Sequence, residues 1–311
     1  MTAPYLALGL AGPHLVELTA NRALLSRWDE LPVAFSVLGI DRVDGSEPAP
    51  LTLTSSAVGA TLAGTTKYGR FLIAATPQRD HPYNIARRVA SLAHLSNGRS
   101  GLLIGVRDAY APEGPEGAAA WGGAGLAGGA PLDAQTAYDA ARAVRALELS
   151  WPYDSIIGNR DTGILVESNR IVHVDIDNRF SIAGPLNTPE PATGASVIAW
   201  YSATAQDGPP RGADDPIELV LGAAGPVPLV ALGKEPPASE TAGVVLRAGL
   251  EHSVGDLLDA AERWLANGFA PISAGGSLRA ALDLSAPAPL PGAEGRTTVT
   301  VTVSGSVVLE P

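Results

Sequence analysis

"RFLIAATPQRDHPYNIARRVASLAHLSNGRSGLLIGV" occupies residues 70–106. It opens on an apolar run, Arg70–Thr76, and then passes through a polar turn into an amphipathic segment. Ile85, Val89 and Leu92 recur at helical spacing, and Asn97-Gly98 supplies a helix stop. A second apolar run, Gly101–Val106, follows directly. Apolar strands joined by a helix imply parallel strands covered by helices. Between the first strand and the helix stands His81-Pro82-Tyr83-Asn84. Pro82 biases His81 towards an extended backbone. Asn84 is placed either to cap the helix or to offer its amide to a ligand.

The same alternation runs outward on both sides. "YLALGLA" (5–11), "VAFSVLGI" (33–40), "RFLIAAT" (70–76) and "GLLIGV" (101–106) read as strands. Helices are expected over 15–31 and 51–69, as well as within the opening stretch. Four such units fit a doubly wound sheet or a (β/α)8 barrel. Residues 109–132 form a Gly/Ala/Pro loop, and a helix follows with Ala137, Ala140, Ala141, Val144 and Leu147 on one face. The segment 162–184 alternates on either side of Ser168-Asn169 and reads as a β-hairpin turning there. Short strands are expected at 195–200, 217–222 and 228–233. The helix at 252–268 has Ser253 as N-cap and Asn267-Gly268 as stop. "FAPISAG" reads as a last barrel strand and "SLRAALDL" as a last helix. The alternating tail from 297 reads as an extra C-terminal strand, so the expected division is one domain over 1–296 and a β tail over 297–311.

Composition narrows the function. A net charge of −11 disfavours nucleic acid and anionic membrane as partners. No cysteine is present, which excludes disulfides, thiolate metal sites and Cys nucleophiles. No apolar run reaches the roughly 18 residues a membrane span needs, and the N-terminus has no basic, cleavable leader pattern. A cytoplasmic protein is the expectation. "GAGLAG" (123–128) fits G-x-G-x-x-G but follows a loop rather than a strand, so a flexible lid is the better reading. Asp175 and Asp177 share a strand face without enough oxygen ligands nearby for a metal, and read as solvated. His94 reads as helix packing. No metal site is expected.

Two motifs then carry a family resemblance. Pro82-Tyr83-Asn84-Ile85-Ala86-Arg87 with Ala93-His94-Leu95-Ser96-Asn97-Gly98-Arg99 resembles a signature of the luciferase-like flavin monooxygenases. The match is to the branch of nitrilotriacetate, dibenzothiophene-sulfone and long-chain alkane monooxygenases. "VRALELSW" (144–151) and "RFSIAGPLNTPEP" (179–191) resemble two further segments of that branch, in the same order. The similarity spans roughly residues 30–205. The resemblance implies a (β/α)8 barrel, usually dimeric. It implies binding of reduced FMN delivered by a separate flavin reductase, and use of O2 to insert one oxygen atom into a small organic substrate.

The departures concentrate at the expected flavin site. The branch's Asp at the end of strand two aligns near Leu38, and its ring-facing Asn on strand four aligns with Leu103. Ser-Thr-Thr after strand three becomes Thr76-Pro77-Gln78. After strand five, Ser202-Ala203-Thr204 stands where the branch grips the phosphate, but Pro209-Pro210 cannot continue a helix and Asp207, Asp214 and Asp215 repel an anion. The chain is also shorter than expected for the branch. Two readings follow. In one, an FMN-dependent oxidoreductase holds the ring with Gln78, Tyr83 and Asn84 and the phosphate with Ala203, Thr204 and Arg211. In the other, a degenerate member with little or no flavin acts as a non-catalytic partner subunit, in a homodimer or a heterodimer with a homologue. That second reading expects Leu103 and Leu38 to fill the barrel mouth.

Overall fold

The computed structural model describes residues 3–112, 114, 117–121, 129–212, 214–236, 241–291 and 293. The chain runs β1 (Tyr5–Leu10), α1 (Gly12–Ala20), α2 (Arg22–Glu30), β2 (Ser36–Leu38), α3 (Ser55–Thr65), β3 (Phe71–Ala75), α4 (Pro82–Ser96), β4 (Ser100–Ile104) and α5 (Ala134–Glu148). It continues β5 (Asp175–Asp177), β6 (Ser181–Ala183), β7 (Val197–Ser202), β8 (Leu219–Gly222), β9 (Leu229–Ala231), β10 (Gly243–Arg247), α6 (Val254–Ala266) and α7 (Leu278–Ala281).

Eight strands form one sheet in the order β8-β7-β4-β3-β2-β1-β10-β9. Every pairing in it is parallel. Its two edges meet at a single parallel bridge, Leu221 with Val227, so the barrel is nearly closed. This is the expected (β/α)8 architecture. Strand alternation divides the core in two. Ala7, Val37, Leu72, Leu103, Ala199 and Val245 pack together inside the barrel. Leu8, Leu38, Ile73, Leu102 and Ile198 face out and pack against helix residues such as Leu15, Val58 and Val89. Gly101 on β4 faces the crowded interior, where an added Cβ would lie 2.6 Å from the Val197 carbonyl oxygen.

Three sequence expectations need correction. The single helix expected over 15–31 is two helices. Asn21 is extended, and its Oδ1 accepts from Ala23 N (3.0 Å) and Leu24 N (3.2 Å), starting a second helix where the first ends. The hairpin does not turn at Ser168-Asn169, which coil into a 3-10 turn (Ser168–Arg170). The hairpin insertion is β5–β6, turned by Asn178, whose Oδ1 accepts from Phe180 N at 2.9 Å. "FAPISAG" is no strand: Ala270 makes one bridge to Tyr5, and Pro271, lacking an N–H, cannot extend it. The eighth barrel strand is β10, "GVVLR". The tail from 297 and the 123–128 glycine motif lie outside the described residues.

Helices follow β1 to β4 and β10, but among the described residues none follows β7, β8 or β9. Pro209-Pro210 breaks the β7–β8 link. Gly222, at φ +99, turns β8 tightly towards β9, where a Cβ would sit 2.0 Å from the Ser202 carbonyl oxygen. The C-terminal strand ends are thus capped by loops on one side and by helix N-termini on the other.

Candidate active site at the C-terminal mouth of the barrel

A cavity of about 760 Å³ opens where β2, β3, β4 and β7 end. Its lining includes Arg42, Gln78, Arg107, Asp108, Trp200 and Tyr201. Barrel enzymes place their chemistry on this face, because loops from every strand converge there.

The wall is built by a polar network after β2. Gly39 turns the chain in the left-handed region, at φ +75, into a short 3-10 helix carrying Asp41 and Arg42. Arg42 Nη1 meets Asp108 Oδ2 at 3.0 Å, with both side chains buried. The Arg42 guanidinium also lies 4.9 Å from the Tyr110 ring centroid. Tyr110 donates to Asp41 Oδ2 at 2.6 Å and accepts from Ala49 N at 3.0 Å. Asp41 further accepts from Gly12 N at 3.1 Å. Burial first, and then the bond to Asp41, raises the Tyr110 pKa. Burial, more than the nearby Asp44 charge, pushes the Tyr201 phenol up to about 12, so it faces the cavity neutral. Asp41 places a carboxylate just after β2, three positions beyond Leu38, where the sequence reading finds the acid missing.

The six residues proposed from sequence separate. Gln78 and Ala203 line the cavity. Gln78 spans two segments: its Nε2 donates to the Gly117 carbonyl at 2.6 Å, and its Oε1 accepts from Asp108 N at 2.7 Å. Tyr83 and Asn84 stand on the first turn of α4, outside the cavity lining. Tyr83 donates to the Pro185 carbonyl at 3.4 Å. Thr204 folds back on Asp207, whose Oδ2 accepts from its N (2.9 Å) and Oγ1 (2.8 Å). Arg211 is exposed and pairs with Asp215 at 2.5 Å. The cap of α4 is His81, whose Nδ1 accepts from Tyr83 N at 3.4 Å. Burial between Trp121 and Phe180 lowers the His81 pKa.

The resemblance motifs turn out to touch one another. Tyr83 and His94 belong to the first, and their partners Pro185 and Pro189 belong to the second; His94 Nε2 lies 2.8 Å from the Pro189 carbonyl oxygen. Arg99 is buried and donates to the carbonyls of Ala63, Thr66, Gly69 and Ser96, tying the end of α3 to that of α4. These motif residues fasten the loop insertion and the helix layer. Asp175 and Asp177 are exposed, and no metal-holding cluster occurs among the described residues. Sequence reasoning passes over Arg42, Asp41, Tyr110 and Arg107. Arg107 is an exposed cation on the cavity wall with no ion pair among the described residues. Its position directly after the β4 run is the signal that would have found it.

The partner-subunit reading expects both leucines to fill the mouth; instead Leu103 packs in the barrel interior and Leu38 lies on the outer face under the helices. The mouth above them is open.

No family model matches the chain. It is 30% identical over 202 residues to a pristinamycin IIA synthase subunit from Streptomyces pristinaespiralis, a match covering 64% of each chain and so less than two thirds of that relative. Its fold is similar to EDTA monooxygenase from Chelativorans sp. BNC1, with TM-score 0.60, 14% identity and coverage of 92% of this chain and 99% of that one. It is also similar to a riboflavin lyase solved with modified FMN and riboflavin, with TM-score 0.63, 16% identity and coverage of 96% and 100%. No described helix is long and apolar enough to cross a membrane. In its motifs the chain resembles the luciferase-like flavin-dependent monooxygenases, and its (β/α)8 barrel is similar in fold to the solved monooxygenase and lyase above.

Proposed function

We propose that this protein is a flavin-dependent monooxygenase that takes reduced FMN from a separate reductase and uses O2 on a small organic substrate. The observation that carries the reading is the open cavity at the C-terminal strand ends. Its volume, about 760 Å³, falls in the roughly 300–1,000 Å³ range of small-molecule sites. Its wall is mixed in the way a flavin needs. Val106 and Tyr201 offer surface for a ring system, and Gln78 and Ala203 border it. Arg107 is the cation available for a phosphate. Thr204 and Arg211 are already engaged by Asp207 and Asp215, so in this proposal they are outer residues, as are Tyr83 and Asn84, which brace α4. Bound reduced FMN would supply the electrons that activate O2. The chain's own part is to hold the ring, keep Tyr201 neutral beside it and limit water in the mouth. The protein is proposed to act in the cytoplasm as a dimer, homomeric or with a homologue.

Titration with FMN and with riboflavin, followed by flavin fluorescence or calorimetry, tests the reading. Micromolar FMN binding is expected. Arg107→Gln should weaken FMN by about tenfold or more, as loss of a charge-assisted bond does, while leaving riboflavin nearly unchanged. Absence of FMN binding at millimolar concentration would overturn it.

A further inference from the structure

A second recess adjoins the main cavity and shares Arg42 and Asp108 with it. Its volume is about 190 Å³, and it lies among the end of β3, the start of α3 and the first turns of α4. The start of α3 is open: Thr54 makes no side-chain cap, and the N–H groups of Ser55 and Ser56 find no acceptor among the described residues. Such a terminus favours an anion through its free donors and its dipole. Two further observations point the same way. Ser55 and Thr76 both line the recess and are 3% and 1% exposed, and their buried hydroxyls have no hydrogen-bond partner among the described residues. Buried polar groups without partners are uncommon and ask for one. The recess is also lined by three guanidiniums, Arg42, Arg79 and Arg88, against two carboxylates, Asp80 and Asp108. Arg88 pairs with Asp80 at 2.7 Å, and Asp108 is shared by Arg42 at 3.0 Å and Arg79 at 3.9 Å. One positive charge is therefore left over.

We propose that this recess is a second ligand site, for an oxyanion of the phosphate class. The α3 amides and the hydroxyls of Ser55 and Thr76 donate to the anion, and Arg79 and Arg88 close over it from the solvent side. The inference holds whether or not a flavin occupies the main cavity. The phosphate has two possible sources: a free anion, or the terminal phosphate of a ligand whose body lies in that cavity.

Calorimetric titration of the full chain with orthophosphate tests the site. Millimolar or tighter binding is expected, weakened about tenfold in Arg88→Gln and again in Thr76→Val. Arg88 is partly exposed on α4, so its substitution leaves the fold intact. No binding at phosphate concentrations about 50-fold above millimolar, or binding equal in wild type and both variants, would overturn the proposal. Repeating the titration with saturating FMN and with riboflavin separates the sources. Competition by FMN alone assigns the recess to the ligand's phosphate; additive binding assigns it to the free anion.

Discussion

Arg42 and Asp108 form a buried ion pair, Nη1 to Oδ2 at 3.0 Å, that joins the turn after β2 to the loop after β4 and forms the wall shared by both cavities. Neither side chain is more than 8% exposed, so each charge depends on the other. Breaking such a pair from one side strands a charge, which costs about 3–5 kcal/mol. Arg42→Met is expected to lose stability on that scale in urea unfolding. Arg42→Met combined with Asp108→Leu should recover most of it. If the single and double variants are equally unstable, the pair is not what holds the wall.

Gln78 is the second tie. Gln78→Leu removes the acceptor for Asp108 N and the donor to Gly117 O. Leaving those buried groups unpaired costs about 1–3 kcal/mol. Flavin affinity should fall with it, because the loop bordering the cavity loses its anchor. Unchanged FMN titration in a folded Gln78→Leu protein would remove Gln78 from the site.

Glu148 makes stability depend on pH. It is fully buried, and burial, opposed by Arg145 and Ser196, raises its carboxyl pKa. A raised acid favours the folded state when protonated. Its contribution is complete below the unfolded Glu value of about 4.3 and is lost as pH rises through the folded pKa. Glu148→Gln keeps the acceptor for Ser196 N, at 3.3 Å in the native protein, without a charge. Its stability relative to wild type should therefore rise as pH climbs from about 4.3 through the folded pKa and level off above it. A pH-independent difference between the two unfolding curves would contradict this.

Gly101→Ala should destabilise by about 1–3 kcal/mol through overpacking. The added methyl meets the Val197 carbonyl oxygen at 2.6 Å and Leu72 Cδ2 at 2.8 Å, inside a filled barrel. Thermal unfolding measures it; a neutral outcome would mean that β4 and β7 can separate at little cost.

The PYN and HLSNGR segments illustrate what a motif means physically. In sequence PYN looks like a ligand segment, because it follows a strand end, whereas His94 reads as helix packing. In the structure Tyr83 and His94 fasten onto Pro185 and Pro189, and Arg99 binds carbonyls. The order of the motifs is legible in one dimension; that they meet is a tertiary fact.

Local physics alone determined most of the frame. Apolar runs of strand length, helix spacing at Ile85, Val89 and Leu92, and the stop at Asn97-Gly98 specify parallel strand–helix units, since period and capping are properties of neighbouring residues. The break at Pro209-Pro210 was equally legible, because a missing N–H acts locally. Only the tertiary structure decided which face each strand residue takes, putting Leu103 inside and Leu38 outside. It also brought Arg42 to Asp108 across 66 positions and Tyr110 to Asp41 across 69. Those contacts depend on barrel closure and loop packing, which sum over the whole chain, so no single stretch of the sequence displays the site.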